Sequence, residues 1–94
     1  MDNLHTNLQA VFDSYSQAGV MDGRSFAKVT KDCKGLLDSK KLTPADVDLV
    51  FAKVKKSPIE RKIGFQEFLM AVEIMAQKKG VSGEEIGLMI TMSC

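Results

Sequence analysis

The chain has 94 residues, of which 45% are hydrophobic and 27% charged, with a net charge of +1, and this balance is typical of one small globular domain over 1–94. No apolar run approaches the roughly 18 residues of a membrane span, and no basic stretch precedes an apolar block at the N-terminus, so we expect neither a membrane segment nor a secretory signal. Two cysteines and one histidine are too few to predict a disulfide framework or a zinc cluster, and we expect Cys33 to be a reduced core residue.

The first predicted unit is a helix–loop–helix over residues 1–36. Apolar residues recur at helical spacing in a first helix that we expect to end at Gly19, a residue type suited to a left-handed cap. Asp22 is placed to cap a second helix, which closes near Gly35. The inward faces of the two helices are predicted to be Leu4, Leu8, Val11, Phe12 and Tyr15, then Phe26, Val29, Thr30 and Cys33.

The second predicted unit is another helix–loop–helix, over residues 42–80. Thr43 is expected to cap its first helix, with Pro44 at the first helical position and Asp46 three residues after the cap. Pro58 prevents a continuous helix, and a fourth helix is predicted over 65–79 with Gly80 as its stop. The inward faces are predicted to be Val47, Val50, Phe51 and Val54, then Phe65, Phe68, Leu69, Val72, Met75 and Ala76.

The C-terminal residues 82–93 predict a short fifth helix, which opens with a capping box from Ser82 to Glu85. Apolar residues such as Ile86, Met89 and Ile90 lie on several of its sides. Two interpretations follow, because such a helix can pack over the core or can detach and dock on a partner through its methionine-rich surface.

The two loops are placed to pair with each other. Val20–Met21 in the first loop and Lys62–Ile63 in the second can form a two-residue ribbon. The predicted fold class is therefore all-α, with two degenerate EF-hand-like helix–loop–helix units paired through a short two-stranded ribbon, plus a short C-terminal helix.

Neither loop carries the side chains of a calcium site, which needs oxygen ligands at positions 1, 3, 5 and 12 of a twelve-residue loop. Aligned on Met21, those positions of the first loop fall on Ser14, Ser16, Ala18 and Ser25. Aligned on Ile63, those of the second loop fall on Lys56, Pro58, Glu60 and Glu67. Because the first loop offers no carboxylate at these positions and Lys56 of the second loop would repel the ion, we expect no calcium binding. We expect Glu67 to stabilise the start of the fourth helix or to pair with a loop lysine.

The sequence contains no group of residues typical of a nucleotide-binding, catalytic or nucleic-acid-binding site. No nucleotide-binding Gly-Lys-Ser/Thr loop is present, and the single histidine, His5, lies in an ordinary helical pattern. The aromatic residues fall on predicted core stripes, whereas a nucleic-acid surface would interleave them with a denser basic face. We therefore expect a non-enzymatic protein with no catalytic residue, no metal site, no cofactor and no nucleic-acid partner.

Three ordered blocks of the sequence resemble the tubulin polymerisation-promoting protein (TPPP) family. The blocks are MDGRSFAKVTKDC at 21–33, LTPADVDLVFAKVK at 42–55 and IGFQEFLMAVEIMAQKK at 63–79. The resemblance covers about residues 8–80 and implies a helical, EF-hand-like fold without calcium chemistry. It also implies a cytosolic, cytoskeletal protein that binds tubulin, promotes microtubule assembly or bundling, and is often linked to a cilium or flagellum.

The charge distribution suggests which residues would meet such a partner. Residues 24–62 carry eleven lysines and arginines against five acids, a net charge of +6, between acidic ends. A cationic segment of this kind favours an acidic partner such as the acidic tails of tubulin, although lysines can equally serve only to solvate helix faces. The predicted partner-binding residues are Lys28, Lys31, Lys53, Lys55, Lys56, Arg61 and Lys62.

The partner predicted for these residues is tubulin, a microtubule or another cytoskeletal protein, bound by a monomer. The alternative is a calcium-independent EF-hand-like adaptor that binds a partner helix or peptide in a groove. Microtubule co-sedimentation separates the two, because only the first function requires pelleting at low salt.

Overall fold

The computed structural model describes residues 3–33, 36–37, 41–55 and 59–93, and helices account for most of them. This part of the chain forms five helices and two short strands, in the order α1, β1, α2, α3, β2, α4, α5. Their bounds are α1 Asn3–Tyr15, β1 Met21–Asp22, α2 Gly23–Asp32, α3 Pro44–Val54, β2 Lys62–Ile63, α4 Phe65–Lys79 and α5 Gly83–Ser93. The predicted fold class is confirmed: two helix–loop–helix units are paired through a two-stranded ribbon, and a C-terminal helix follows.

The end of α1 differs from the prediction. The helix ends at Tyr15 rather than at Gly19, because the next residues form a tight turn of their own. The backbones of Gln17 and Val20 exchange two hydrogen bonds, of 2.8 and 3.1 Å. Ala18 and Gly19, the central residues of the turn, both have positive φ values, 53° and 79°, as in a type I′ turn.

The ribbon lies one residue later in the first loop than the predicted Val20–Met21 pair. Met21 pairs with Ile63 and Asp22 with Lys62 in an antiparallel register. Val20 is excluded because its backbone is already paired with Gln17 across the turn. Met21 and Ile63 are each 1% exposed, so the ribbon joins the two loops through a buried apolar pair.

The helix starts follow the predicted caps. The Asp22 carboxylate accepts a hydrogen bond of 2.8 Å from the Ser25 backbone at the start of α2. Thr43 and Asp46 bond each other reciprocally at the start of α3, with Pro44 at the first helical position. At the start of α5, the Ser82 hydroxyl accepts from the Glu85 backbone over 3.1 Å.

The helix ends agree less uniformly with the prediction. Gly80 ends α4 in the left-handed region with a φ of 81°, as expected. The end of α2 is Asp32, with Cys33 as its C-cap. Gly35, the predicted end, lies outside the described residues.

Five phenylalanine rings form a connected series that joins the first four helices. Phe68 of α4 lies 5.4 Å from Phe12 of α1 and 6.3 Å from Phe26 of α2, measured between ring centroids. Phe26 in turn lies 5.7 Å from Phe51 of α3, and Phe12 lies 5.6 Å from Phe65. Because edge-on and tilted aromatic pairs add to the free energy of burial, this series forms the centre of the core.

Helix α5 packs over the core, which confirms the first of the two interpretations of this segment. Ile86 and Ile90 are fully buried, and the helix contacts both α4 and α1. Leu88 and Met92 lie on its outer side and are 45% and 83% exposed. Within the described residues, no helix has the length and apolar character that crossing a membrane requires.

Candidate partner-binding surface

The first loop encloses a polar pocket where an EF-hand would hold its ion. The pocket has a volume of about 220 Å³, and its lining includes Ser14, Ser16, Asp22 and Ser25. Ser14 donates its hydroxyl to the Ala10 carbonyl of its own helix, over 3.0 Å. Asp22, which is the one lining carboxylate among the described residues, caps α2, and hydrogen bonds from the backbone and side chain of Ser25 lower its pKa.

The second loop directs its carboxylates to its own backbone. Glu67 accepts a hydrogen bond of 2.8 Å from the Gly64 backbone and so caps α4, as predicted. Glu60 accepts from the backbones of Arg61 and Lys62, over 3.0 and 3.3 Å. The first and third ligand positions of this loop, Lys56 and Pro58, lie outside the described residues.

The charges near the loops are unfavourable for a cation. The side chain of Lys62, which belongs to β2 of the second loop, lines the pocket of the first loop. An ammonium group there repels a positive ion. Across the described part of the chain, no three histidine, cysteine or acidic residues lie close enough together to hold a metal ion, and Cys33 is buried, as expected.

Two of the predicted partner-binding residues, Lys28 and Lys31, lie on α2 and are exposed. Arg24, also exposed, precedes them at a spacing of four residues, so these three cations occupy one face of the helix. We call Arg24, Lys28 and Lys31 the α2 stripe. Arg24 was absent from the predicted set, although the spacing of four and then three residues was a signal that could have identified it.

The other predicted residues lie toward the ribbon. Arg61 and Lys62 are exposed in and beside β2, and Lys53 is exposed in the last turn of α3, with Lys55 as the half-buried C-cap residue. The C-terminal half of α3 packs against the N-terminal half of α2, because the Phe51 ring contacts Phe26. Lys53, Lys55, Arg61 and Lys62 therefore lie toward the N-terminal end of α2 and form what we call the ribbon-end group.

One member of the α2 stripe has a charged neighbour on its own helix. The Lys28 ammonium lies 3.3 Å from the Asp32 carboxylate, and their side chains are 65% and 39% exposed. The Tyr15 hydroxyl donates to the same carboxylate over 3.0 Å, and the hydrogen bonds from Tyr15 and Lys28 lower the pKa of Asp32. Because an exposed ion pair contributes only about 0–1 kcal/mol, Lys28 can exchange Asp32 for a partner's carboxylate at little cost.

A mainly apolar cleft runs beside the α2 stripe, between α2 and α3. It has a volume of about 310 Å³. Its lining comprises Ala27, Thr30 and Lys31 of α2, Leu37 of the following segment, and Pro44, Val47 and Asp48 of α3. The cleft was not predicted from the sequence, because it depends on how α2 and α3 cross.

Comparison with known proteins identifies relatives of this chain. A family model described as p25-alpha matches residues 8–94. Tubulin polymerization-promoting protein family member 2 of Homo sapiens is 44% identical over 80 residues, which cover 82% of this chain and 46% of that protein. Family member 2 of Macaca fascicularis is 43% identical over 83 residues, which cover 85% and 48%.

Family member 3 of these proteins is also similar. The Bos taurus protein is 48% identical over 67 residues, which cover 69% of this chain and 37% of the relative. The chain thus spans about half the length of the member 2 proteins it matches, or less. The matched residues include all three blocks that carried the predicted resemblance. The chain therefore belongs to the p25-alpha family, which confirms the predicted resemblance to the tubulin polymerisation-promoting protein family.

Proposed function

We propose that this protein is a non-enzymatic cytoskeletal module that binds tubulin or microtubules through its cationic surface. The observation that carries the proposal is the match to the p25-alpha family over residues 8–94, with relatives whose names describe promotion of tubulin polymerisation. The proposed setting is the cytoplasmic cytoskeleton, including that of a cilium or flagellum, and the proposed binding unit is a monomeric single domain that needs no calcium.

The exposed cations support an electrostatic mode of binding. The α2 stripe and the ribbon-end group supply seven described cations, of which six are exposed and Lys55 is half-buried. Such charges raise the rate of encounter with an acidic surface and make binding sensitive to salt. The proposed contact residues are therefore Lys28, Lys31, Lys53, Lys55, Arg61 and Lys62, with Arg24 added. Lys56 is included from its position in the sequence alone.

The test compares two double variants that change the net charge equally. Arg61→Gln with Lys62→Gln removes two positive charges from the ribbon-end group. Gln66→Glu with Gln77→Glu also lowers the net charge by two, but on exposed positions of α4. In a microtubule co-sedimentation assay at low salt, we expect the first variant to pellet less than wild type and the second to pellet nearly as well. Equal loss in both variants would contradict a defined contact surface.

The second candidate is an adaptor that binds a partner helix, and a groove between α1 and α5 favours it. This groove has a volume of about 490 Å³ and is lined by exposed Leu88 and Met92 together with Ala10 and Val11 of α1. If the chain were such an adaptor, the wild type would not pellet with microtubules at low salt, and an amphipathic helical peptide would bind the wild type but not Leu88→Gln with Met92→Gln. That pair of results would favour the adaptor over the electrostatic module.

A further inference from the structure

The cleft between α2 and α3 combines an apolar floor with charged lips. The methyl and methylene groups of Ala27, Leu37, Pro44 and Val47 make most of its lining. Thr30 is 1% exposed, and its hydroxyl donates to the Ala27 carbonyl over 2.8 Å. Because that hydroxyl is already satisfied within α2, an apolar group can enter the cleft without leaving this donor unpaired.

The volume of the cleft limits the size of its occupant. About 310 Å³ lies at the lower end of the range of ligand pockets, roughly 300–1,000 Å³. A cleft of this size suits one large side chain rather than an extended small molecule. Leu49, which is 64% exposed and follows the lip residue Asp48 on α3, adds apolar surface outside the cleft.

The charges around the cleft indicate what should flank that side chain. Lys31 forms the lip on the α2 side, and Arg24 and Lys28 continue the same face of the helix. On the α3 side, Asp48 is the one acidic residue among the described residues of the lining, so it disfavours an acidic group there and orients the acidic flank of an occupant over α2.

We propose that the α2–α3 cleft binds an acidic peptide segment by a single apolar anchor, with the segment's carboxylates paired to the α2 stripe. Because the anchor is buried while the carboxylates pair at the surface, the anchor supplies most of the affinity and the stripe supplies orientation and speed of association. The inference rests on the proposed function, since it assigns the partner's acidic segment to one site on this chain.

The test uses two fluorescently labelled peptides that are rich in glutamate and differ only at one central position, Phe or Ala. Fluorescence anisotropy measures the dissociation constant of each peptide with the full chain. Burying the Phe ring removes more apolar surface from water than burying the Ala methyl group, so we expect the Phe peptide to bind about tenfold more tightly or better. Equal binding of the two peptides would overturn the inference.

Three variants locate the anchor. Ala27→Leu fills the cleft from α2, and we expect it to remove the preference for Phe. Ala10→Leu makes the same change in the groove between α1 and α5, and we expect the preference to remain. Lys31→Gln should weaken both peptides by a similar factor and leave their ratio unchanged. A preference that survives Ala27→Leu, in a variant whose thermal melt shows that it folds, would overturn the inference.

Two further results separate this inference from its alternatives. Self-association of the wild type that Ala27→Leu abolishes, measured by analytical ultracentrifugation, would assign the cleft to a second copy of the chain and overturn the inference. Microtubule pelleting is scored independently of the peptides. Pelleting without any anchor preference would contradict only the cleft, whereas anchor preference without pelleting would contradict only the proposed function.

Discussion

Two residues with positive φ show how local backbone geometry sets stability in this chain. Gly80 has a φ of 81° at the end of α4, and a Cβ added there would meet no atom within 4 Å. Ala18 has a φ of 53° in the first loop, a region that costs a non-glycine residue about 1–2 kcal/mol. The two positions are therefore opposite tests of the same conformational cost.

We expect Gly80→Ala to lower the free energy of unfolding by about 1 kcal/mol and Ala18→Gly to raise it by up to about 1 kcal/mol. The gain at Ala18 is the smaller one because glycine also increases the entropy of the unfolded chain. Urea unfolding of the two variants measures both values. A Gly80→Ala variant as stable as wild type would contradict the left-handed cap.

Asp22 makes the stability of the start of helix α2 dependent on pH. Its pKa is lowered in the folded state by the hydrogen bonds from Ser25, so the unfolded chain binds the proton more readily. The stabilisation by Asp22 is therefore fully present above the unfolded pKa of about 3.9 and is lost as the pH falls through the lowered folded value.

We expect Asp22→Asn to keep the cap hydrogen bond, because asparagine is an equally good N-cap, but to lose this dependence on pH. Urea midpoints measured between pH 6 and pH 2 should fall less steeply for the variant than for wild type. Asp22→Ser, which keeps a capping oxygen without a carboxylate, is the matched variant and should show the same shallower slope. Identical slopes for Asp22→Asn and wild type would contradict the argument.

Among the helices and loops, the two loops have the arrangement of an EF-hand pair, but carboxylates within them cap helices. Glu67, at the twelfth position of the second loop, caps α4. Asp22 caps α2 from the N-cap position itself, by accepting from the Ser25 backbone, and Lys62 lines the pocket of the first loop. The ribbon pair Met21 and Ile63 joins the loops through the core.

We expect isothermal titration calorimetry to show no calcium binding tighter than millimolar, because carboxylates that cap helices are not free to gather round an ion that Lys62 repels. We expect Lys62→Gln to show no calcium binding either, since carboxylates free to bind the ion would still be missing. Micromolar binding by either protein would contradict this account of the loops.

The same elements show how much the sequence could predict. The caps at Asp22, Thr43 and Gly80 were predictable because each depends on a few neighbouring residues. The predicted end of α1 was wrong by four residues, because the turn at Ala18–Gly19 competes with the helix. The predicted ribbon register was wrong by one residue, because the same turn occupies the backbone of Val20. Propensity alone does not decide such a competition.

For the candidate surface, the sequence supplied the residues but not their grouping. Lys28 and Lys31 were predicted, and Arg24 could have been added from helical spacing alone. Their separation from the ribbon-end group, and the cleft that Lys31 borders, depend on the packing of Phe51 against Phe26. That contact joins residues distant in the chain, which local patterns do not reveal.

At the scale of the whole molecule, Phe68 is the central ring of the core. It is fully buried and has neighbouring rings on α1, α2 and α4. We expect Phe68→Ala to lower the free energy of unfolding by about 3–5 kcal/mol, measured by chemical denaturation. Phe51→Ala, at a half-buried ring, is the matched control and should cost clearly less. Equal losses would show that the series has no centre at Phe68.

Electrostatic binding to microtubules is tested most directly by co-sedimentation of the wild-type chain at two ionic strengths. The Debye length falls from about 30 Å at 0.01 M salt to about 8 Å at 0.15 M, so attraction between exposed charges weakens strongly over this range. We expect a substantial fraction of the chain to pellet with microtubules at the lower salt and a much smaller fraction at the higher salt. No pelleting at low salt would contradict microtubule binding, and pelleting that salt does not change would contradict its electrostatic origin.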